Sequence, residues 1–385
     1  VAGEVRRRLE VVREIVLLLV ADTAPAEVFA RLSQLPGLSE FAGQDERRVT
    51  LRFAGGTTAQ VVVTTPVNAG AVLVQATGSD AHLQQLAAYA REQGCSLDGA
   101  ALWRGSGFVP TPDEAAVYGA LGLPVIPPEL REGRGELKAA REGKLPDLIS
   151  LDDIKGDLHS HTTLSDGRNT LEEMAAAAER LGYEYLAITD HSASHGFGNH
   201  VTADQLWQRI DEVKAFNDAE KKSKGRIRLL AGSEVNIGLD GSLDYDEDVL
   251  EALDWVIASI HTSFSNDEDK MTGRMLAAIE NPHVDCIGHA TGRLLNKRDP
   301  YPLNIEKVIA AAAETDTLFE INGSPQRRDL SDIHARMAKE AGVKIVLNTD
   351  SHATASLGYM DYAIATARRA WLEKGDILNT GPWWK

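Results

Sequence analysis

Cysteine is almost missing from this chain of 385 residues: Cys95 and Cys286 stand far apart, with no CxxC spacing. That excludes a disulfide framework and a thiolate zinc site, and it fits a reducing compartment. Long apolar runs are missing too. The most apolar early stretch, IVLLLV at 15–20, is far short of a membrane span, and no charged-then-apolar leader with a small-residue cleavage site is present. Positive charge is in deficit, with 40 Lys and Arg against 57 Asp and Glu, a net −17 that argues against a broadly basic coat for nucleic acid. We find no repeat of fixed period and no low-complexity tract. What is present is a globular composition, 43% hydrophobic and 25% charged. The length exceeds one ordinary core, so two domains are expected. Val1 opens the chain without methionine inside what reads as a folded segment, so a fragment or a processed chain is expected.

The acidity is uneven. Residues 1–150 hold 15 Lys and Arg against 18 Asp and Glu, whereas the remainder holds 25 against 39. Bound divalent cations would offset part of the second excess, because carboxylate ligands count here as bare charges. Acidity therefore does not exclude a phosphate substrate.

Before residue 105, helical patterns at 24–35 and 80–94 mix with strand patterns at 47–54 and 58–65, which suggests a small α/β unit. The stretch 105–136 is rich in Pro and Gly and reads as turns around one short helix. We therefore expect a first domain over 1–104, a linker over 105–150 and a second domain over 151–385. Beyond residue 156, short β-branched runs such as YLAITDHS, DWVIASIHTS and VKIVLNTDSH recur, separated by amphipathic helices such as TLEEMAAAAERLG. That alternation argues for parallel strands with crossover helices, hence a barrel or a doubly wound sheet.

Ten of the eleven histidines lie after residue 156. DLHSHTTLSDG carries His159, His161 and Asp166. Asp190 and His191 follow YLAIT, Glu234 follows LLAGS, His261 follows WVIASI, His289 follows VDCIG, and Asp350 and His352 follow KIVLNT. In a (β/α) barrel the strand C-termini converge on one face, where sites are built. One histidine at a strand end is more often a hydrogen-bonded core residue than a ligand; chance does not explain the repeated placement. Neutral imidazole and carboxylate suit Zn, Mn or Fe. Asp190 aside, the nine donors are too many for one ion, so two or three metals sharing a bridging carboxylate is the economical count. Adjacent metals activate water and neutralise a phosphoryl group, so metal-assisted hydrolysis of a phosphate ester is the expected reaction. A DNA-binding or interaction module with structural metals is the rival from another class.

The series DLHSHTTLSDG, ITDHS, GSEVNI, SIHTSF, GHATGR and NTDSH resembles the successive motifs of the polymerase and histidinol phosphatase (PHP) domain, over about residues 150–385. The resemblance implies a distorted seven-stranded (β/α) barrel with a trinuclear centre. By motif position it implies a first metal on His159, His161, Glu234 and Asp350, a second on Glu234, His261 and His289, and a third on Asp166, His191 and His352. Arg327, in EINGSPQRRDL, matches an arginine of the polymerase-linked members and is a candidate for holding phosphate through forked hydrogen bonds. Arg293 in ATGRLL is a weaker candidate, and His195, with His200 in the same loop, is another; an ordinary surface role is the alternative for each. His283 and His334 are read as chemically idle.

The front of the chain resembles the palm and thumb of bacterial family X DNA polymerases, which carry a PHP domain at their C-terminus. GEVRRRLEVVREIVLLLV, GAVLVQATGSDAH and LGLPVIPPELRE carry that resemblance. On it, Gly78, Ser79 and His82 are a remnant of nucleotide handling, and the three metal-binding palm aspartates fall at Glu14, Val16 and Gln60. Valine offers no ligand, and Glu4 puts a negative group where incoming phosphates would lie, so the polymerase site is expected to be inactive. Arg6, Arg7 and Arg8 could still form a platform for DNA, with a solvated helix end as the alternative.

The expectation is thus an α/β chain, a distorted (β/α)7 PHP barrel behind a smaller palm/thumb-like α/β domain. The resemblance implies metal-dependent 3′→5′ exonuclease action on DNA ends or gapped DNA. Removal of 3′-phosphates and incision at abasic sites share that chemistry. Two or three divalent metals (Mn, Zn or Fe), no membrane, and a cytoplasmic place beside the nucleoid go with it. A small-molecule phosphatase of histidinol-phosphate type and a working polymerase with other ligands are the alternatives.

Overall fold

The structure, a computed structural model, describes residues 1–43, 45–98, 100–194, 196 and 199–383. It divides into two compact units, Val1–Pro146 and Asp147–Lys385.

In the first unit β1 (Ile15–Val20), β2 (Leu38–Gly43), β3 (Arg48–Phe53) and β4 (Thr58–Thr64) form a sheet in the order β1-β4-β3-β2. β1 runs parallel to β4 and the other pairs are antiparallel. The period of two sorts the side chains: Val49, Leu51, Val61 and Val63 are buried with Val28 of the helix Pro25–Leu32, while Val16 and Val62 pack with Ala2 and Val72. The helix Ala69–Thr77 comes so close to the chain at Asp113 that a Cβ on Gly70 would sit 1.9 Å from the Asp113 carbonyl oxygen, so only glycine fits. A small antiparallel sheet of β5 (Cys95–Leu97), β6 (Leu102–Arg104) and β7 (Gly107–Val109) follows.

The stretch read as a linker is packed into this unit as far as Pro146. Tyr118 and Arg131 in it are fully buried. Its charged residues are anchored far back along the chain: Arg6 donates to both Glu114 oxygens at 2.7 and 2.6 Å, Arg131 donates to the same pair, and Arg7 donates to Glu132 at 3.0 Å. Composition records the turns but not those partners. The same contacts commit the Arg6 and Arg7 guanidiniums to partners within the unit.

In the second unit seven strands run parallel in sequence order: β8 (Gly156–Asp157), β9 (Tyr185–Ile188), β10 (Arg228–Asn236), β11 (Trp255–Ser259), β12 (Cys286–Ile287), β13 (Leu318–Asn322) and β14 (Ile345–Asn348). Crossover helices separate most of them. One is Leu171–Arg180, which starts at a capping box in which the Glu173 N–H donates to the Thr170 hydroxyl and the Thr170 N–H to the Glu173 carboxylate. The seam between β8 and β14 closes just beyond the ladder: the Leu158 N–H donates to the Asn348 side-chain oxygen, and Ser160 and Ser351 form an isolated parallel bridge. The result is the nearly closed (β/α) barrel expected above.

Alternation again decides what faces inward. Tyr185, Ala187, Leu230, Trp255, Ile257, Cys286 and Val346 form one buried cluster, while Leu186, Ile188, Leu229, Ala231, Val256, Ala258, Ile287, Ile345 and Leu347 join a second, larger one with the helices. Glu234 and Asn236 on β10, and Glu320 and Asn322 on β13, continue the inward phase toward the strand C-termini. No helix among the described residues is long and apolar enough to cross a membrane.

Candidate metal centre

The strand C-termini bring the distant motifs together. His159 and His161 follow β8, His191 follows β9, Glu234 stands near the end of β10, and His261, His289 and the pair Asp350 and His352 follow β11, β12 and β14. Glu234 is fully buried at the middle of this set. Its Oε2 lies 3.2, 3.5 and 2.9 Å from nitrogens of His159, His161 and His191, and its Oε1 lies 3.1 and 2.9 Å from those of His261 and His289. Asp350 Oδ1 lies 3.2 Å from His161 Nε2 and 3.5 Å from His159 Nε2. Asp166, on the loop after His161, faces His352 at 3.1 Å, His191 at 3.7 Å and His161 at 3.8 Å.

Three groups of donor atoms are compact enough to hold an ion: His159, His161, Glu234 and Asp350; His161, Asp166, His191 and His352; and His191, Glu234 and His261. The first has the membership implied by the sequence motifs. The second contains the implied Asp166, His191 and His352 and adds His161. The third has His191 where the motifs imply His289, although His289 reaches the same Glu234 oxygen as His261.

The donor set fits divalent cations on physical grounds. Both Glu234 oxygens, both His161 nitrogens and Nε2 of His159 are buried without a hydrogen bond of good geometry among the described residues. Leaving such groups unsatisfied is costly. His161 and His352 stack with ring centroids 4.1 Å apart, an arrangement two imidazolium ions would resist. Burial, with the charges of His352 and His191, pushes His161 down to about 4, and burial likewise takes His261 to about 4. Both are therefore neutral at pH 7, the form that ligates. Burial alone would lift the Glu234 and Asp350 carboxyls, but the surrounding imidazoles outweigh it and hold both well below the usual range. Backbone strain accompanies the ligands: His289 and Asp350 take φ of 27° and 54°, in the left-handed region.

The sequence reading passed over the side chains that orient this set. Glu320 accepts from His159 Nδ1 at 2.6 Å and from the His289 N–H at 2.8 Å, and the Asn348 and Asn322 amides donate to its two oxygens. That aims His159 Nε2 at Glu234 and Asp350. The available signal was a carboxylate inside an apolar strand, in LFEIN. Asp190, the residue before His191, is a second such side chain. It accepts from the Thr162 N–H, the Thr162 hydroxyl and the Ser165 hydroxyl, each at 2.7 Å, and so fixes the loop that carries Asp166.

Arg327 lies with its Nε 3.4 Å from Asp350 Oδ2. Arg293 instead donates to the backbone carbonyls of Arg327, at 3.1 Å, and Arg328. His195 lies outside the described residues, and His200 is exposed. In the first unit Val16 and Gln60 are register partners on adjacent strands. Val16 is buried in the apolar cluster with Val62 and Val72, while Glu14 and Gln60 are half-buried. Ser79 caps the helix Asp80–Glu92, and a Cβ on Gly78 would meet His82 and Leu83 at 2.9 Å. His82 is fully buried between Glu136, at 2.7 Å, and the Tyr118 hydroxyl, at 3.3 Å.

A parallel barrel that gathers imidazoles and carboxylates at its strand C-termini defines a metal-site (β/α) barrel. Residues 157–324 match the family model described as PHP domain, and residues 72–132 match DNA polymerase beta thumb. A probable phosphatase of Thermoanaerobacter sp. (strain X514) is 34% identical over 58% of this chain and 89% of its own length. The chain belongs to the PHP family, and it carries that domain behind a polymerase thumb. Over 98% of its length it is 38% identical to the protein of Bacillus subtilis (strain 168) named DNA polymerase/3′-5′ exonuclease PolX. It spans 66% of that protein, a little under two thirds. The resemblance to the C-terminal part of bacterial family X polymerases thus holds along almost the whole chain.

Proposed function

We propose that this chain hydrolyses phosphodiesters at DNA ends in the 3′→5′ direction, with the palm-like unit inactive in nucleotidyl transfer. The observation that carries the reading is the convergence of five imidazoles on one buried glutamate at the mouth of the barrel. Similarity along nearly the whole chain to a polymerase and 3′-5′ exonuclease directs that chemistry toward DNA. Val16, sealed in an apolar cluster, supports an inactive palm. DNA ends or gapped DNA would be the partner, repair the setting, and the cytoplasm beside the nucleoid the place.

In this reading His159, His161, Glu234 and Asp350 hold a first metal, Glu234 with His261 and His289 a second, and Asp166, His191 and His352 a third. Manganese, zinc and iron all suit these donors. When bound, such cations lower the pKa of water and screen the charge that builds on a phosphoryl group. Glu320 keeps the proton of His159 on Nδ1 and leaves Nε2 as the lone-pair donor. Asp190 keeps the Asp166 loop in place. Arg327, beside Asp350, offers a planar donor to a nonbridging phosphate oxygen. Hydrolysis breaks the bond between phosphorus and the 3′-oxygen, and the proton lost by the attacking water ends on that oxygen.

Similarity of the second unit to probable phosphatases favours a second reading, a phosphomonoesterase for small molecules. One experiment separates the two. Protein reconstituted with Mn²⁺ is given a labelled primer–template, with and without nucleotides, beside a His159→Ala variant and a parallel p-nitrophenyl phosphate assay. Shortening of the primer by the wild type alone supports the proposal. Extension would show that the palm has found other ligands. Turnover of the phosphomonoester with an intact primer would favour the second reading.

A further inference from the structure

His289 is held differently from His159. Glu320 takes the Nδ1 proton of His159 and so aims that ring, whereas Nδ1 of His289 is buried with no hydrogen bond among the described residues. Its Nε2 lies 2.9 Å from Glu234 Oε1. With nothing steering the ring through its second nitrogen, its aim depends on the backbone that carries it. That backbone has a φ of 27° and opens a tight turn, in which the Gly292 N–H donates to the His289 carbonyl at 2.9 Å. Histidine keeps such a conformation only where the surroundings hold it.

The turn's polar groups show what holds it. The Tyr301 hydroxyl donates to the Ala290 carbonyl at 2.6 Å, and the Tyr301 N–H donates to the Thr291 carbonyl at 3.1 Å. The His289 N–H donates to Glu320, and the N–H and hydroxyl of Thr291 both donate to Oδ2 of Asp329, each at 2.9 Å. Asp329 reaches this place because the chain reverses after β13 and runs back beside it. The Asn322 N–H donates to the Asp329 carbonyl at 2.5 Å, and the Leu330 N–H donates to the Glu320 carbonyl at 3.0 Å. Glu320 and Asp329 thus stand on paired stretches of backbone and grip the turn at two points, two residues apart.

Asp329 is fully buried, and its Oδ1 has no hydrogen bond among the described residues. Burying a carboxylate so sparsely partnered is costly. What it supplies is a stronger hold on two donors than a neutral amide oxygen gives. We propose that Asp329 is a positioning residue: through Thr291 it sets the turn that aims His289 Nε2 at Glu234, and so governs how firmly the second metal is held. The inference deepens the proposed function and rests on its assignment of Glu234, His261 and His289 to that metal. Because His191, Glu234 and His261 stay compact without His289, a slackened turn weakens the site and does not abolish it.

The test is a double-mutant cycle read by Mn²⁺ binding, with equilibrium dialysis for affinity and plasma mass spectrometry for stoichiometry. Wild type, Asp329→Ala, Asp329→Asn, His289→Ala and the double variant Asp329→Ala with His289→Ala are compared. Asp329→Ala should weaken one Mn²⁺ by about tenfold and leave the others as they are. Asp329→Asn keeps a neutral acceptor for Thr291, so it should restore most of that affinity. In the His289→Ala background Asp329→Ala should add nothing, because its effect passes through that ring. A merely structural role would weaken every ion and would add to the His289→Ala loss. Unchanged Mn²⁺ affinity in Asp329→Ala, or a double variant clearly weaker than His289→Ala alone, overturns the assignment. If Asp329→Ala unfolds, Asp329→Asn and Thr291→Val decide: a few-fold weakening confined to one ion supports the positioning role, and unaltered binding in both overturns it. Indifference of Mn²⁺ binding to His289→Ala removes the second metal and the inference with it. Primer shortening is scored separately. A cycle as expected without any shortening keeps the role of Asp329 and removes the DNA reading; shortening with Mn²⁺ affinity indifferent to Asp329→Ala does the reverse.

Discussion

In the first unit three buried or half-buried carboxylates meet cations built to match them: Glu114 sits between Arg6 and Arg131, Glu132 against Arg7, and Glu136 against His82. In the second unit one carboxylate, Glu234, faces five imidazoles, and imidazoles face one another. Arginine and glutamate complete each other, and their hydrogen bonds leave no role for a further ion. A crowd of lone pairs is completed only by something that accepts several of them at once. Buried charge alone therefore does not mark a site; the mismatch of partners does.

The sharpest way to break this comparison is Glu234→Gln, which removes the anion at the centre and nothing else. We expect loss of bound metal and a fall in hydrolysis on the order of 10³-fold, comparable to losing a principal transition-state stabiliser. Metal content by plasma mass spectrometry and primer shortening read it out, and a variant that keeps its full metal complement would refute the contrast. Next in size is Glu114→Ala in the first unit. It strands Arg131 and Arg6 and should destabilise that unit by about 3–5 kcal/mol, with hydrolysis per folded molecule unchanged. Urea unfolding measures the first effect; a loss under about 1 kcal/mol would mean that the triad is a bystander. Smaller still is Glu320→Gln. It keeps the shape but weakens the hold on His159 Nδ1, and metal affinity should fall about 10–100-fold.

The second unit was more legible in sequence than the first, for a physical reason. Metal ligands must be His, Asp or Glu, and a parallel barrel puts them at strand ends, so chemistry and period coincide in DLHSH, ITDH and NTDSH. Glu320 escaped because its role depends on β13 standing in register beside its neighbours, which LFEIN alone does not state. Arg293 read as a phosphate candidate because the carbonyls of Arg327 and Arg328 that it meets lie more than thirty residues away in the chain. Arg6 and Arg7 read as a basic helix end because their partners lie more than a hundred residues away. Ion pairs across a fold leave no local pattern, whereas turns do, which is why 105–150 reads as a connection although the first unit extends to Pro146.

The mildest test uses acid on the first unit. Burial pushes the Glu114 carboxyl up, but the hydrogen bonds and charges of Arg6 and Arg131 outweigh it and hold it at about 2, against an ordinary 4.5. A carboxyl whose pKa is lowered by folding binds fewer protons folded than unfolded. Its contribution is therefore complete above about 4.5 and is lost as the pH falls through about 2. Glu114→Gln carries no such titration. Hydrogen exchange over residues 69–77 and 114–131 should accelerate between pH 4.5 and 2 in the wild type, beyond the intrinsic pH dependence of exchange. The glutamine variant should be less protected throughout and flatter across that window. Equal slopes in the two proteins would show that the Arg6–Glu114–Arg131 triad does not set the acid response, and that the first unit's charges are as loosely matched as those around Glu234.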